Sequence, residues 1–151
     1  MKISDDYIRG LVDGEGCFTF CTVGRSDSLL KPKIPTFVIQ MHERDKLLIE
    51  MVRDKLAPKN EVYVYKMLGM RTHTDKVYKR GPMARIMIRD VGSLKNNVVP
   101  FFYDKLIGHK GVQFNDWLEK IGSDPLVPER FKIIYRLHKA GYWSKNPNSA
   151  P

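Results

Sequence analysis

The chain has 151 residues, enough for one domain with a real core. Its hydrophobic share of 42% is ordinary for a folded protein, but 26 Lys and Arg against 17 acids leave a formal charge of +9. That excess suits a polyanionic partner, nucleic acid before an acidic membrane surface. No apolar run approaches the roughly 20 residues that span a bilayer, and Met1 to Asp6 holds no apolar signal core, so membrane, secretory and transit-peptide readings are disfavoured and a protein that is intracellular, or was trimmed, is expected.

The spacing predicts a first helix over Asp5 to Asp13, capped by Ser4, with Asp5 and Asp6 at the positive end of its dipole and Gly14-Glu15-Gly16 at its exit. A strand follows near Cys17 to Val23, with Phe18 and Phe20 on one face and Thr19 and Cys21 on the other. On a strand Cys17 and Cys21 lie about 13 Å apart, too far for a disulfide, and no second Cys/His pair completes a zinc pattern. Both read as reduced thiols.

After a polar, basic turn over residues 25–33, Thr36 to His42 returns as a strand, Phe37, Ile39 and Met41 inward and Thr36, Val38, Gln40 and His42 outward. Asp45 to Leu56 reads as a helix with a stripe of Leu48, Met51 and Val52, stopped by Pro58. Glu61 to Leu68 is a strand, on which Tyr63 and Tyr65 are expected to pack in the core. A long polar tip leads to a strand over Met83 to Arg89, Ile86 and Ile88 inward, Arg85, Met87 and Arg89 outward. Helices are expected at Leu94 to Phe102, at Lys110 to Ile121 with Phe114, Trp117, Leu118 and Ile121 on one face, and from Pro128 to about Ala140. Residues 1–142 form a single domain on this reading, and 143–151 a flexible tail. The class is α+β, with four antiparallel strands covered by helices on one face and a basic, wet face on the other.

The stretch Tyr7-Ile8-Arg9-Gly10-Leu11-Val12-Asp13-Gly14-Glu15-Gly16 resembles the LAGLIDADG motif of homing endonucleases. Gly10, Leu11, Asp13 and Gly16 match, while Ile8, Arg9, Val12, Gly14 and Glu15 replace the first Leu, the Ala, the Ile, the second Ala and the second Asp. Gly10 and Gly14 share a helix face, where small residues let two helices approach closely. An ordinary capped helix with an acidic exit is the bland alternative, which the following strand and the basic charge argue against. The stretches from Phe37 to Leu48 and from Pro100 to Phe114 also look like the family, so the resemblance covers nearly the whole chain.

The resemblance implies an αββαββα fold with a saddle-shaped antiparallel sheet, and a Mg²⁺-dependent nuclease that makes a double-strand break in a long pseudo-palindromic DNA target during intron homing. With one motif per chain it implies a homodimer, the interface holding Gly10, Leu11, Asp13 and Gly14. Glu15 would bind the metal, Gly14 lending its carbonyl, with Mn²⁺ or Ca²⁺ able to substitute in binding. Asp13 is the motif's structural acid. Lys110 is the candidate active-site lysine, with Lys105 as its rival. Gln40 is a candidate for the active site or for DNA contact, because the family's usual polar position falls on Met41. DNA contact is expected from Thr19, Cys21, Arg25, Lys31, Lys33, Gln40, Arg85 and Arg89, then Lys66, Arg71, Lys79 and Arg80. A non-cleaving maturase for intron RNA, or a DNA-binding regulator, is the alternative of the same fold. Organelle and prokaryotic cytoplasm remain open.

Overall fold

The computed structural model describes residues 1–24, 31–66, 70–71, 77–78 and 81–145. Helix α1 (Asp5–Glu15) starts where expected, Ser4 Oγ accepting the Tyr7 amide at 3.1 Å. It runs two residues past the expected end. Gly14 stays helical, and the stop comes at Gly16, whose backbone is extended. A Cβ on Gly16 would stand 2.6 Å from Val12 Cγ1, so glycine lets strand β1 (Gly16–Thr22) leave hard against the helix. Ile8 and Val12, one turn apart, are the buried residues of α1.

Strand β2 (Lys33–His42) pairs antiparallel with β1 from Gly16↔Ile39 to Thr22↔Lys33, and with β6 (Met83–Ile88) from Phe37↔Ile88 to His42↔Met83. Strand β3 (Tyr63–Tyr65) completes the order β1-β2-β6-β3. It is shorter than the Glu61 to Leu68 segment expected, part of which lies outside the described residues. The polar tip holds a separate two-stranded ribbon, β4 (Met70–Arg71) with β5 (Val77–Tyr78), which the sequence pattern does not reveal.

Helix α2 (Lys46–Leu56) follows a 3₁₀ turn at Glu43–Asp45. It buries Ile49, Val52 and Leu56 instead of the Leu48, Met51 and Val52 stripe. The observed set spans the helix at i, i+3, i+7, whereas Leu48 and Met51 flank it half-buried. Residues 91–102 form one helical run: α3 (Val91–Ser93), a π-helical segment (Leu94–Val98) and α4 (Val99–Phe102). The wide turn directly precedes Pro100, whose ring nitrogen has no hydrogen to give the ladder, and Val99 N–H reaches back five residues to Leu94 O. Helix α5 (His109–Ser123) buries Phe114, Trp117, Leu118 and Ile121 as expected. A 3₁₀ turn (Glu129–Phe131), α6 (Lys132–Lys139) and α7 (Tyr142–Lys145) close the described chain. Trp143 is 4% exposed and its ring lies 5.8 Å from that of Tyr103, so the packed domain extends past the boundary expected at residue 142.

One core joins the helices to the inner sheet face. At its centre Phe18 meets Phe37, Phe102, Phe114 and Trp117 at ring distances of 4.9–5.7 Å. Trp117 Nε1 also donates to Thr19 O at 2.8 Å, tying α5 to β1. The outer sheet face is less wet than expected. Thr36 lies on it yet is fully buried, its hydroxyl donating to Ile34 O at 2.8 Å, and Ile34 is only 6% exposed. Among the described residues, no helix is long and apolar enough to cross a membrane.

Candidate functional site

Helix α1 divides its residues among different tasks. Ile8 and Val12 face the core. Gly10 and Gly14 face away from it: both are exposed, and a Cβ on either would meet nothing within 4 Å. Tyr7, one turn before Leu11 on the same side, is 51% exposed. Arg9 is held inside the chain, Nε donating to Phe101 O at 3.0 Å and Nη1 to Asp6 at 3.1 Å, with its guanidinium 4.5 Å from the Phe101 ring centre.

The two acids at the exit of α1 differ sharply. Asp13 accepts the Ile107 and Gly108 amides, each at 3.1 Å, one on each carboxylate oxygen. Gly108 is the residue that starts α5, so Asp13 clasps the end of one helix to the beginning of another. This gives the motif's structural acid an internal role, and its link to the expected dimer interface is indirect. Glu15, two residues on, is exposed and has no hydrogen bond or ion pair to any described residue. The last turn of α1 holds no basic residue, so Glu15 adds its charge to the negative end of the helix dipole. That combination favours an external cation. The donors at hand, the Glu15 carboxylate and the carbonyls of the last turn such as that of Gly14, are hard oxygens that suit Mg²⁺ or Ca²⁺. Among the described residues, no group of three or more His, Cys, Asp and Glu could hold a metal within the chain.

Lys110 and Lys105 separate by position. Lys110 is half-buried in the first turn of α5, directly after the Asp13 clasp. Lys105 is exposed in the turn after α4, its amide bonded to Phe102 O. The clasp on Ile107 and Gly108 lies between the two lysines in sequence, with Lys110 on the helix that it starts and Lys105 in the exposed turn before it.

The register puts Gln40 one position beyond the Gly16↔Ile39 pair, beside that same exit but on the outer face. Its Oε1 accepts from Tyr65 Oη at 2.6 Å and from Arg85 Nε and Nη2 at 3.2 Å each. Arg85 also stacks on the Tyr65 ring, 4.9 Å from its centre. Tyr65 thus belongs to a polar cluster, not to the core, and Tyr63 is 58% exposed. The period-two alternation of tyrosines with Val62 and Val64 carries the signal, since the tyrosines keep parity with Arg85 across β6.

The expected DNA contacts scatter. Thr19 and Cys21 lie on the outer face, and Arg85 and Arg89 share it, Arg89 exposed just past the end of β6. Lys33 does not: it has the parity of Phe37, and its Nζ pairs with Asp124 at 2.9 Å. The Leu126 amide and then the Lys33 ammonium hold the Asp124 carboxyl below the usual aspartate range. Lys31 is half-buried and Lys66 exposed. Arg25, Lys79 and Arg80 lie outside the described residues, as does the Arg71 side chain.

A sequence-family model described as LAGLIDADG endonuclease matches residues 8–121. No curated protein matches the chain. Among solved structures, the homing endonuclease I-TnaI is 22% identical, with a TM-score of 0.57 over 98% of this chain and 100% of that one. The meganuclease I-SmaMI bound to uncleaveable DNA is 23% identical, with a TM-score of 0.57 over 91% of this chain and 44% of that one. I-SmaMI bound to an uncleaved DNA target in the presence of calcium ions is 23% identical, with a TM-score of 0.58 and the same coverage. The chain thus spans less than half the length of I-SmaMI. At these identities the likeness is one of fold, an α+β arrangement with a four-stranded antiparallel sheet.

Proposed function

Because the chain belongs to the LAGLIDADG endonuclease family, we propose that it is a site-specific DNA endonuclease acting as a homodimer, with Glu15 as the metal-binding carboxylate. The observation that carries this reading is the contrast at the exit of α1: Asp13 is consumed by two backbone amides, while Glu15 is left open to an outside partner. The open face at Gly10 and Gly14 supports a second copy of α1 as the neighbour, because glycines four residues apart let helices pack at close range. A two-fold axis there would bring two Glu15 carboxylates together and would match a pseudo-palindromic target.

Glu15 and the Gly14 carbonyl would hold Mg²⁺, which when bound supplies a water of lowered pKa and neutralises charge on the phosphodiester. Asp13 sets the angle between α1 and α5 and so holds Lys110 at the site. The Lys110 ammonium would stabilise negative charge building on the scissile phosphate. The outer sheet face would lie in the major groove, which admits a sheet surface of this kind, with Thr19, Cys21, Gln40, Arg85 and Arg89 toward DNA and Lys31 and Lys66 toward phosphates. Gln40 goes with the DNA contacts, since its carbonyl is taken up by Arg85 and Tyr65.

The test is incubation of the protein with a randomised duplex library and Mg²⁺, followed by sequencing of cut ends, with Glu15→Gln alongside. A discrete pseudo-palindromic site cut by the wild type and bound but uncut by the variant is expected. Binding enrichment with no cutting by either protein would replace this reading with a binding role.

A further inference from the structure

The Gln40–Tyr65–Arg85 cluster is more than a charged patch, because its hydrogen-bonding polarity is fixed. A guanidinium has only donors, so the face of the Gln40 amide turned toward Arg85 must be its oxygen. That oxygen receives Arg85 Nε, Arg85 Nη2 and Tyr65 Oη. The amide NH₂ therefore points away from them. The stack of Arg85 on Tyr65 holds the guanidinium in turn. All three side chains are half-buried, which restricts alternative rotamers. What Gln40 and Arg85 still offer to a partner is donors: the NH₂ of Gln40 and the unused N–H groups of Arg85, while the Tyr65 hydroxyl has given its hydrogen to Gln40 and keeps only an acceptor.

Polarity of this kind discriminates among bases. A glutamine free to turn reads adenine with one donor and one acceptor, but here the acceptor is taken. Adenine N6 and cytosine N4 carry donors, which would meet the donors of Arg85 and Gln40. Guanine presents two acceptors, O6 and N7, on one edge. The register fixes the place. Gln40, Arg85 and Tyr63 lie in one cross-strand row, directly beyond the Gly16↔Ile39 pair where α1 enters the sheet.

From this we infer that the cluster is a guanine-reading element, specifying one guanine in the inner part of each half-site. The inference rests on the DNA-cleaving reading above and goes beyond it by assigning a base and the residues that select it. Arg85 reads the base, Gln40 contributes a donor, and Tyr65 is a positioning residue that keeps both in place.

The experiment selects binding sites from the randomised duplex library in Ca²⁺, using wild type, Arg85→Lys and Gln40→Glu. The wild type should enrich guanine at one inner position of each half-site. Both variants should lose that preference and keep the others, since lysine lacks the fork and glutamate replaces the amide donor with an acceptor. Replacing that guanine with 7-deazaguanine should weaken wild-type binding roughly tenfold and leave Arg85→Lys unaffected. Gln40→Glu should melt no lower than wild type, because its carboxylate faces the same guanidinium. If both variants fail to fold, wild-type binding to the 7-deazaguanine targets decides the matter alone. A discrete site with the same base preferences in all three proteins overturns the inference, as does an Arg85-dependent position occupied by adenine, or indifference to 7-deazaguanine at every guanine. Failure of the wild type to enrich any site removes the endonuclease reading itself.

Discussion

Gly10→Ala separates the stability of the single chain from its association. Gly10 is in the interior of α1, and a Cβ there meets nothing within 4 Å. In a helix interior alanine is favoured over glycine by about 1 kcal/mol, so a dilute, monomeric variant should gain that much, about 2–4 °C in Tm at this chain length. Association should change in the opposite sense. A methyl placed between two close-packed helices overfills the contact at about 1–3 kcal/mol, which weakens dimerisation by roughly one to two orders of magnitude. Sedimentation across a concentration series gives the dimer constant, and melts at the lowest concentration give the monomer term. Cleavage should fall with the dimer population and recover at high protein concentration. A variant that dimerises as tightly as the wild type would refute the α1–α1 interface. A variant that melts lower when dilute would refute the open face on which the argument stands.

Asp13→Ala should release the start of α5 and lose about 1–2 kcal/mol, a cost typical of a lost helix cap. Hydrogen exchange at Ile107 and Gly108 should accelerate selectively; unchanged protection there would discount the clasp. Asp124 has a carboxyl pKa below its ordinary value, so its stabilisation is present above the unfolded pKa and is lost as pH falls through the lower, folded one. Urea midpoints measured into the acid range should thus decline less steeply for Asp124→Asn, from a lower starting point near neutrality; parallel curves would contradict this. Lys132 Nζ reaches the carbonyls of Ile121, Gly122 and Asp124, at 2.7, 3.2 and 2.8 Å, capping the end of α5. Lys132→Met should lose about 2 kcal/mol, or about 4–8 °C in Tm. A melt within a degree of wild type would mean the carbonyls are served equally well by water.

Periodicity was sufficient for the elements that bury an uninterrupted stripe. The α5 face of Phe114, Trp117, Leu118 and Ile121 and the inward Ile86 and Ile88 of β6 follow directly from spacing. It misled where two stripes compete: α2 carries apolar residues at 47, 48, 49, 51, 52 and 56, and only contact with the sheet selects Ile49, Val52 and Leu56. Strand parity assigned Thr36 to the outside, but parity gives direction and not cover, and the residue is buried. Lys33 was misplaced for a related reason: its strand begins earlier than the pattern suggested, so its parity joins it to Phe37. The motif at 8–16 was legible because its chemistry is local. The partners of Asp13, 94 and 95 positions away, are not encoded in any local pattern.

The motif helix also explains why its positions cannot be exchanged with one another. In one 11-residue helix, Ile8 and Val12 anchor the core, Gly10 and Gly14 leave a face without side chains, and Asp13 clasps α5. Gly16 then admits the strand where a Cβ would strike Val12. Two of these assignments follow the turn of the helix: Ile8 with Val12, and Gly10 with Gly14, are each four apart and share a face. Glu15 is the last residue of the helix, directly before the strand, and no internal donor reaches its carboxylate among the described residues. Moving the acid one position earlier would point it along a helical face already assigned. Moving it one later would put a side chain where Val12 allows none. Position 15 therefore holds an outward-facing carboxylate without filling the open face at Gly10 and Gly14, and Asp13, by holding the start of α5, brings the turn that carries Lys110 to the same end of the molecule.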